Sequence, residues 1–147
     1  MQIRPMDPIE LGLPHRAPFI FIDDVISVEP GRRAEAKKRF CSEEGLLKGH
    51  FPGNPIVPGV LLTEALAQTA GIAIGGPGRS FLLTAIRAMK FLRPVRPEEQ
   101  IQLVAESLGE MNGMVQCAVR ASSAGETVAE GQIVLAELAR SQMTDDK

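Results

Sequence analysis

Between Ile56 and Gly76 the chain carries one formal charge, Glu64, in a run of otherwise apolar, small or uncharged residues. The run is about the length of a membrane-spanning helix, so the apolar surroundings it seeks decide the fold. Pro58 and Gly59 open the run, Gly71, Gly75 and Gly76 loosen its end, and no basic flank sets an orientation. Glu64 and Gln68 would lie well inside a bilayer, where a carboxylate costs about 2.5–3.5 kcal/mol. A helix over 58–74 buried in a protein core fits better, and no membrane partner is expected. Proline and glycine at its start, and Gly75-Gly76-Pro77-Gly78 after it, are the boundary signals such a helix needs.

A helix apolar on nearly all faces must be wrapped by something else. The rest of the chain reads as strands. Residues 19–28 are β-rich and end at the turn signal Glu29-Pro30-Gly31. Residues 33–40 alternate, with Ala34, Ala36 and Phe40 on one parity and Arg33, Glu35, Lys37 and Arg39 on the other; Lys38 breaks the pattern. These two segments predict a hairpin. Ser42 followed by Glu43 and Glu44 predicts a short capped helical turn. After the long helix, residues 81–92, 100–108, 115–121 and 127–138 read as strands, with turns at 109–113 and at Ala124-Gly125. The expected architecture is α+β, one long central helix wrapped by a curved antiparallel sheet of five or six strands. At 147 residues, 44% of them hydrophobic and 23% charged, the chain can build one core. One domain is expected over 1–147, its tail from about 140 flexible.

The chemistry gathers around Glu64. Glu64 and Gln68 stand at i and i+4, on one helix face. A carboxyl group in such surroundings is costly to ionise, which is how a general acid is prepared; a structural glutamate satisfied by backbone amides or an arginine is the other reading. His50 lies in Gly49-His50-Phe51-Pro52-Gly53, a loop stiffened by Pro52, Pro55 and Pro58 that leads into the same helix. Two histidines and two cysteines at these spacings make no convincing zinc site. Nucleophile-elbow, P-loop and dinucleotide-binding patterns are absent. A His50/Glu64 base and acid pair is the reading left. Gly59, in the first helical turn, has an N–H without an intrahelical partner and could polarise a carbonyl oxygen, or could serve a tight turn alone.

His-Phe-Pro-Gly-x-Pro-x-x-Pro-Gly-Val-Leu-x-x-Glu-Ala-x-Ala-Gln, running from His50 to Gln68, closely resembles the 3-hydroxyacyl-[acyl-carrier-protein] dehydratases. Leu13-Pro14-His15-Arg16-Ala17-Pro18-Phe19 and Lys90-Phe91-Leu92-Arg93-Pro94-Val95 resemble two further segments of that family. The resemblance implies a hotdog fold and a homodimer with active sites shared across the interface, many members assembling into trimers of dimers. It implies that His50 removes a C2 proton from the 3-hydroxyacyl thioester while Glu64 protonates the departing C3 hydroxyl. Gly59 would hold the thioester oxygen through its amide, and Gln68 would orient Glu64. No metal or other cofactor is implied, since the thioester itself acidifies C2. His15 would be structural, holding the entry to the first strand. Asn54 stands where a second histidine often occurs, Ala17 replaces an aromatic, and Pro97-Glu98-Glu99 replaces a Pro-Gly-Asp turn. With no tyrosine in the chain, a tyrosine gate over the acyl tunnel is absent or played by a phenylalanine.

Between Pro77 and Pro97 lie Arg79, Arg87, Lys90, Arg93 and Arg96 with no acidic residue, in a chain of net charge −2. This basic stretch suits an anionic acyl carrier protein; carboxylates folded against it would make it an ordinary solvated face. A sequence pI near 5.7 argues against nucleic acid. The opening MQIRPMDPIELGLP places Asp7, Glu10 and prolines where a signal peptide needs an apolar run. With Cys41 and Cys117 the only cysteines, a reducing cytoplasm is expected. Alternatives are another hotdog enzyme (an acyl thioesterase or an enoyl-CoA hydratase) or a non-catalytic acyl-carrier-binding subunit. The family's isomerising members place aspartate where Glu64 stands and resemble this chain less.

Overall fold

The computed structural model describes residues 6–43, 45–49, 52–76 and 78–138. The long helix, α2, spans Gly59–Ile74 and follows Pro58, whose backbone is extended at φ −60° and ψ 138°. Proline there withdraws no N–H from the helix. From Leu62 onward every residue of α2 is buried except Glu64 and Gly71. The two threonines do not break this apolar surface. Thr63 and Thr69 donate their hydroxyls back to the carbonyls of Gly59 and Ala65, at 2.9 and 2.8 Å.

The remaining elements are β1 (Asp24–Glu29), β2 (Arg33–Arg39), the short α1 (Gly45–Lys48), β3 (Phe81–Phe91), β4 (Gln100–Met111), β5 (Met114–Ser123) and β6 (Glu126–Glu137). Among the described residues the six strands form one antiparallel sheet in the order β1-β2-β4-β5-β6-β3. Strict alternation aims one face at α2: Ala34 and Ala36 of β2, Ile101, Leu103 and Ala105 of β4, and Val115, Cys117, Val119 and Ala121 of β5 are all buried. The register sets Leu103 between Ala36 and Ala121, and Ala105 between Ala34 and Val119. Small residues beside Leu103 leave room for the helix that the sheet wraps. Lys38, the break in the sequence pattern, points the same way as Ala34 and Ala36. Its ammonium lies 3.4 Å from Asp23 Oδ1 and 5.0 Å from the Phe40 ring centroid. Its stem is buried while its charge is met.

Three expectations shift. The strand predicted over 19–28 begins only at Asp24, because the chain before it lies against α2 and finds its backbone partners on a helix side chain. The turn predicted from Gly109 begins later. β4 runs on to Met111 through an irregularity between Ser107 and Gly109, and the reversal falls at Asn112 and Gly113, with φ 56° and 78°. Ala124 and Gly125 repeat that geometry at φ 52° and 81°, the two positive-φ residues of a tight hairpin turn. Ser42 does not cap α1; its N–H and hydroxyl both donate to Glu98 Oε2 at 2.8 and 3.1 Å. The tail expected from about residue 140 lies outside the described residues. Among the described residues no helix is long and apolar enough to cross a membrane.

Candidate active site

Glu64 and Gly71 stand seven residues apart on the one stripe of α2 that the sheet leaves partly open. The Glu64 side chain is 20% exposed. One turn on, Gln68 is 1% exposed and spends its whole amide. Its Oε1 accepts from the Phe21 N–H at 3.0 Å. Its Nε2 donates to the Phe19 carbonyl at 3.1 Å and to Glu64 Oε2 at 3.0 Å. One side chain therefore pins the segment before β1 onto the helix and orients the carboxyl group. The spacing in sequence brings Glu64 and Gln68 together, as expected; Gln68's hold on Phe19 and Phe21 is not visible there.

A second group reaches Glu64. His15 Nε2 lies 3.6 Å from Glu64 Oε2. Its ring stacks on Phe19, with centroids 5.7 Å and planes 24° apart. Burial lowers the His15 pKa from its ordinary 6.5, the Glu64 carboxylate opposing that fall, so the imidazole is neutral at neutral pH. The sequence reading gave His15 only to the entry of the first strand, because forty-nine positions separate it from Glu64.

His50 and Phe51 lie outside the described residues, but the chain on either side of them is anchored to one turn. Ser42 holds Glu98, Arg96 donates to Asn54 Oδ1 at 2.7 Å, and the Val57 N–H donates to the Val95 carbonyl at 2.8 Å. The stretch from Val95 to Glu98 thus clamps the chain on both sides of that loop. At the helix start the Gly59 N–H has no acceptor among the described residues. A Cβ on Gly59 would come within 3.0 Å of the Phe91 ring, so glycine is what lets that ring lie over the first turn. Gly59, Ile56, Leu62, Phe91, Leu92 and Val95 line an apolar groove of about 390 Å³.

The basic residues do not gather into one patch. Arg79 forms a forked pair with Glu137 at 2.8 and 2.9 Å, before β3. Arg93, beyond its other end, bonds Glu99 and Glu126, both at 3.1 Å. Lys90 faces Glu130 in register, and Arg87 faces Gln132. Arg96 has the neutral Asn54 as its side-chain partner. Among the described residues no cluster of three or more His, Cys, Asp or Glu side chains could hold a metal ion.

Residues 27–132 match the family described as ApeI-like, ApeI dehydratase. The chain is 46% identical over 128 residues to the 3-hydroxyacyl-[acyl-carrier-protein] dehydratase FabZ of Acetivibrio thermocellus, covering 84% of this chain and 88% of that one. The FabZ of Ruminiclostridium cellulolyticum is 44% identical, covering 84% and 90%. Among solved structures, the dehydratase heterocomplex ApeI:P from Xenorhabdus doucetiae superposes with a TM-score of 0.78 at 16% identity, covering 95% of this chain and 96% of that one. Uncharacterized protein PH1136 from Pyrococcus horikoshii superposes at 0.71 and 19% identity, covering 92% and 97%. A long helix wrapped by one antiparallel sheet, with relatives this similar over most of their length, places the chain in the 3-hydroxyacyl-[acyl-carrier-protein] dehydratase family of the hotdog fold.

Proposed function

We propose that the protein eliminates water from 3-hydroxyacyl thioesters on acyl carrier protein, giving trans-2-enoyl thioesters for fatty acid or related acyl-chain synthesis. The observation that carries this reading is the Glu64 carboxyl group, held by Gln68 on the partly open stripe of an otherwise buried helix. A carboxyl group four-fifths buried there, with no purpose for its charge, would be replaced at less cost by an apolar residue. His50 takes the C2 proton, and the negative charge that develops on the thioester oxygen is met by the Gly59 N–H. The C3–O bond then breaks as Glu64 passes its proton to the departing hydroxyl, and water leaves. The imidazolium and carboxylate that remain exchange a proton to reset the pair. The thioester acidifies C2, so no metal or other cofactor is required.

The site is completed by a second copy of the chain, His50 of one meeting Glu64 of the other. β3 is an edge strand, and Leu82, Ile86, Phe91 and Leu92 are about half exposed along and just beyond it. Val60 at the start of α2 is 75% exposed. Pairing two β3 edges would satisfy their backbone groups and cover these side chains; three such dimers would make the hexamer common in the family. Arg96, joined to the loop that carries His50 through Asn54 and without a carboxylate partner among the described residues, is the cation best placed for an acidic carrier. Arg87 and Lys90, in register with Gln132 and Glu130, are further candidates, while Arg79 and Arg93 contribute less because carboxylates already pair with them. The protein works as one domain, in the cytoplasm.

The test is direct. Purified protein is incubated with a 3-hydroxyacyl group on carrier protein, and loss of one water is followed by mass, with Glu64→Gln and His50→Ala alongside. Water loss in the wild type that both substitutions abolish supports the reading. Undiminished water loss in both variants overturns the assignment, and release of a free thiol points to a thioesterase.

A further inference from the structure

Among the described residues two side-chain nitrogen atoms approach the Glu64 carboxyl group, and both face the same oxygen. Gln68 donates to Oε2 at 3.0 Å, and His15 Nε2 lies 3.6 Å from that oxygen. Oε1 has no hydrogen-bond partner among the described residues. The other ring nitrogen of His15, Nδ1, is buried and has no partner among the described residues. An orphaned buried N–H is rarer and costlier than an orphaned lone pair. The neutral ring therefore carries its hydrogen on Nε2, directed at the carboxyl group. Stacking on Phe19 fixes the ring plane, and the Phe19 carbonyl is itself held by Gln68.

We propose that His15 is a positioning residue of the dehydration: with Gln68 it supplies a second N–H to Glu64 Oε2, so that the proton delivered to the leaving hydroxyl sits on Oε1. This rests on Glu64 acting as the acid. When the C3–O bond breaks, its electron pair goes to oxygen and the Oε1 proton follows. The electron pair of the Oε1–H bond stays on the carboxylate, whose Oε2 already faces two donors. Hydrogen bonds to a charged acceptor are about twice as strong as neutral ones, so both donors gain strength in the step itself, where it accelerates the reaction. At 3.6 Å the His15 contact is longer than a hydrogen bond; such contacts tighten when substrate fills the site. Neutrality of the ring matters as well. The half-buried ring, its pKa lowered by desolvation, brings a neutral N–H to the carboxyl group.

The experiment uses His15→Phe, which keeps a stacking ring without the N–H, and His15→Gln, which keeps an N–H without the ring. Both are assayed on the 3-hydroxyacyl carrier substrate. His15→Phe is expected to lower kcat about ten- to hundred-fold, the worth of one hydrogen bond to a charged group, with KM and Tm nearly unchanged. His15→Gln is expected to recover part of that loss. Added to Glu64→Gln, His15→Phe is expected to cause no further fall in the residual rate. Wild-type kcat in His15→Phe, a loss that appears in KM or follows Tm, or an additive loss in the double variant would overturn the proposal. If His15→Phe does not fold, His15→Leu makes the same comparison, and failure of both marks His15 as a structural brace and overturns it too. Glu64→Gln separates the two levels. Full turnover in that variant removes the acid and this proposal with it, whereas a dead Glu64→Gln beside a fully active His15→Phe removes His15 alone.

Discussion

Replacing Gln68 with methionine should cost stability as well as activity, and the amount follows from its three hydrogen bonds. Methionine matches glutamine in helix propensity and closely in length, so α2 and its packing volume are preserved. What disappears is the acceptor for the Phe21 N–H, the donor to the Phe19 carbonyl and the donor to Glu64. Phe21 is 4% exposed, so its N–H is left without water, whereas Phe19 is 50% exposed and its carbonyl can be hydrated. One orphaned buried backbone group costs about 1–3 kcal/mol, and the more apolar side chain returns a fraction of that. The expected loss is about 1–3 kcal/mol in urea unfolding followed by far-UV circular dichroism, at matched protein concentration and with an unchanged denaturant slope. Thr69→Val is the control. Its neighbouring hydroxyl bond to the Ala65 carbonyl is equally buried, but that carbonyl keeps its helical N–H partner, so the loss should stay below about 1 kcal/mol. Equal destabilisation by both variants, or none from Gln68→Met, would refute the claim that Gln68 anchors the segment ahead of β1.

Three further outcomes are expected. Arg93 above all, helped by the Arg96 N–H and the Ser123 hydroxyl, holds the Glu99 carboxyl at about 2 against an ordinary 4.5. A depressed carboxyl contributes stability above its ordinary value and loses it as pH falls towards the folded one. Glu99→Gln should therefore cost about 1 kcal/mol at pH 7, after allowance for solvent screening, and its deficit should shrink between pH 4.5 and 2; a deficit in urea melts that grows on acidification refutes this. Gly131→Ala should destabilise by about 2 kcal/mol or more, because the new methyl would lie 2.7 Å from Met89 Cα, in the backbone of β3; an unchanged Tm would show that β3 yields freely. Burial pushes the Cys117 thiol up to about 11, while Cys41 is exposed. In Cys41→Ser, thiol reagents at pH 8 should find nothing until denaturant is added, and rapid native labelling would mean that the core opens.

The family segment from His50 to Gln68 was recognisable in one dimension because its spacing is local: proline and glycine set the loop, and i,i+4 places Glu64 beside Gln68. The helix bounds and the alternation of β2 and β5 were legible for the same reason, since propensity and period act between near neighbours. The strand predicted over 19–28 failed in its first half because Phe19 and Phe21 find their partners on Gln68, 49 and 47 residues away. The basic run between Pro77 and Pro97 looked like one surface until Glu137, Glu99 and Glu126 folded onto Arg79 and Arg93. His15 gave no sign of its contact with Glu64, and nothing local sets β3 at the sheet edge beside β6. By itself the sequence determined the helix, the strand periods and the acid on the apolar run, because each depends on side chains within a few positions of one another. Only the tertiary structure decided which oxygen of Glu64 is held, which arginines meet a carboxylate among the described residues and which strands lie at the sheet edges, because those depend on groups that meet only when the sheet closes around α2.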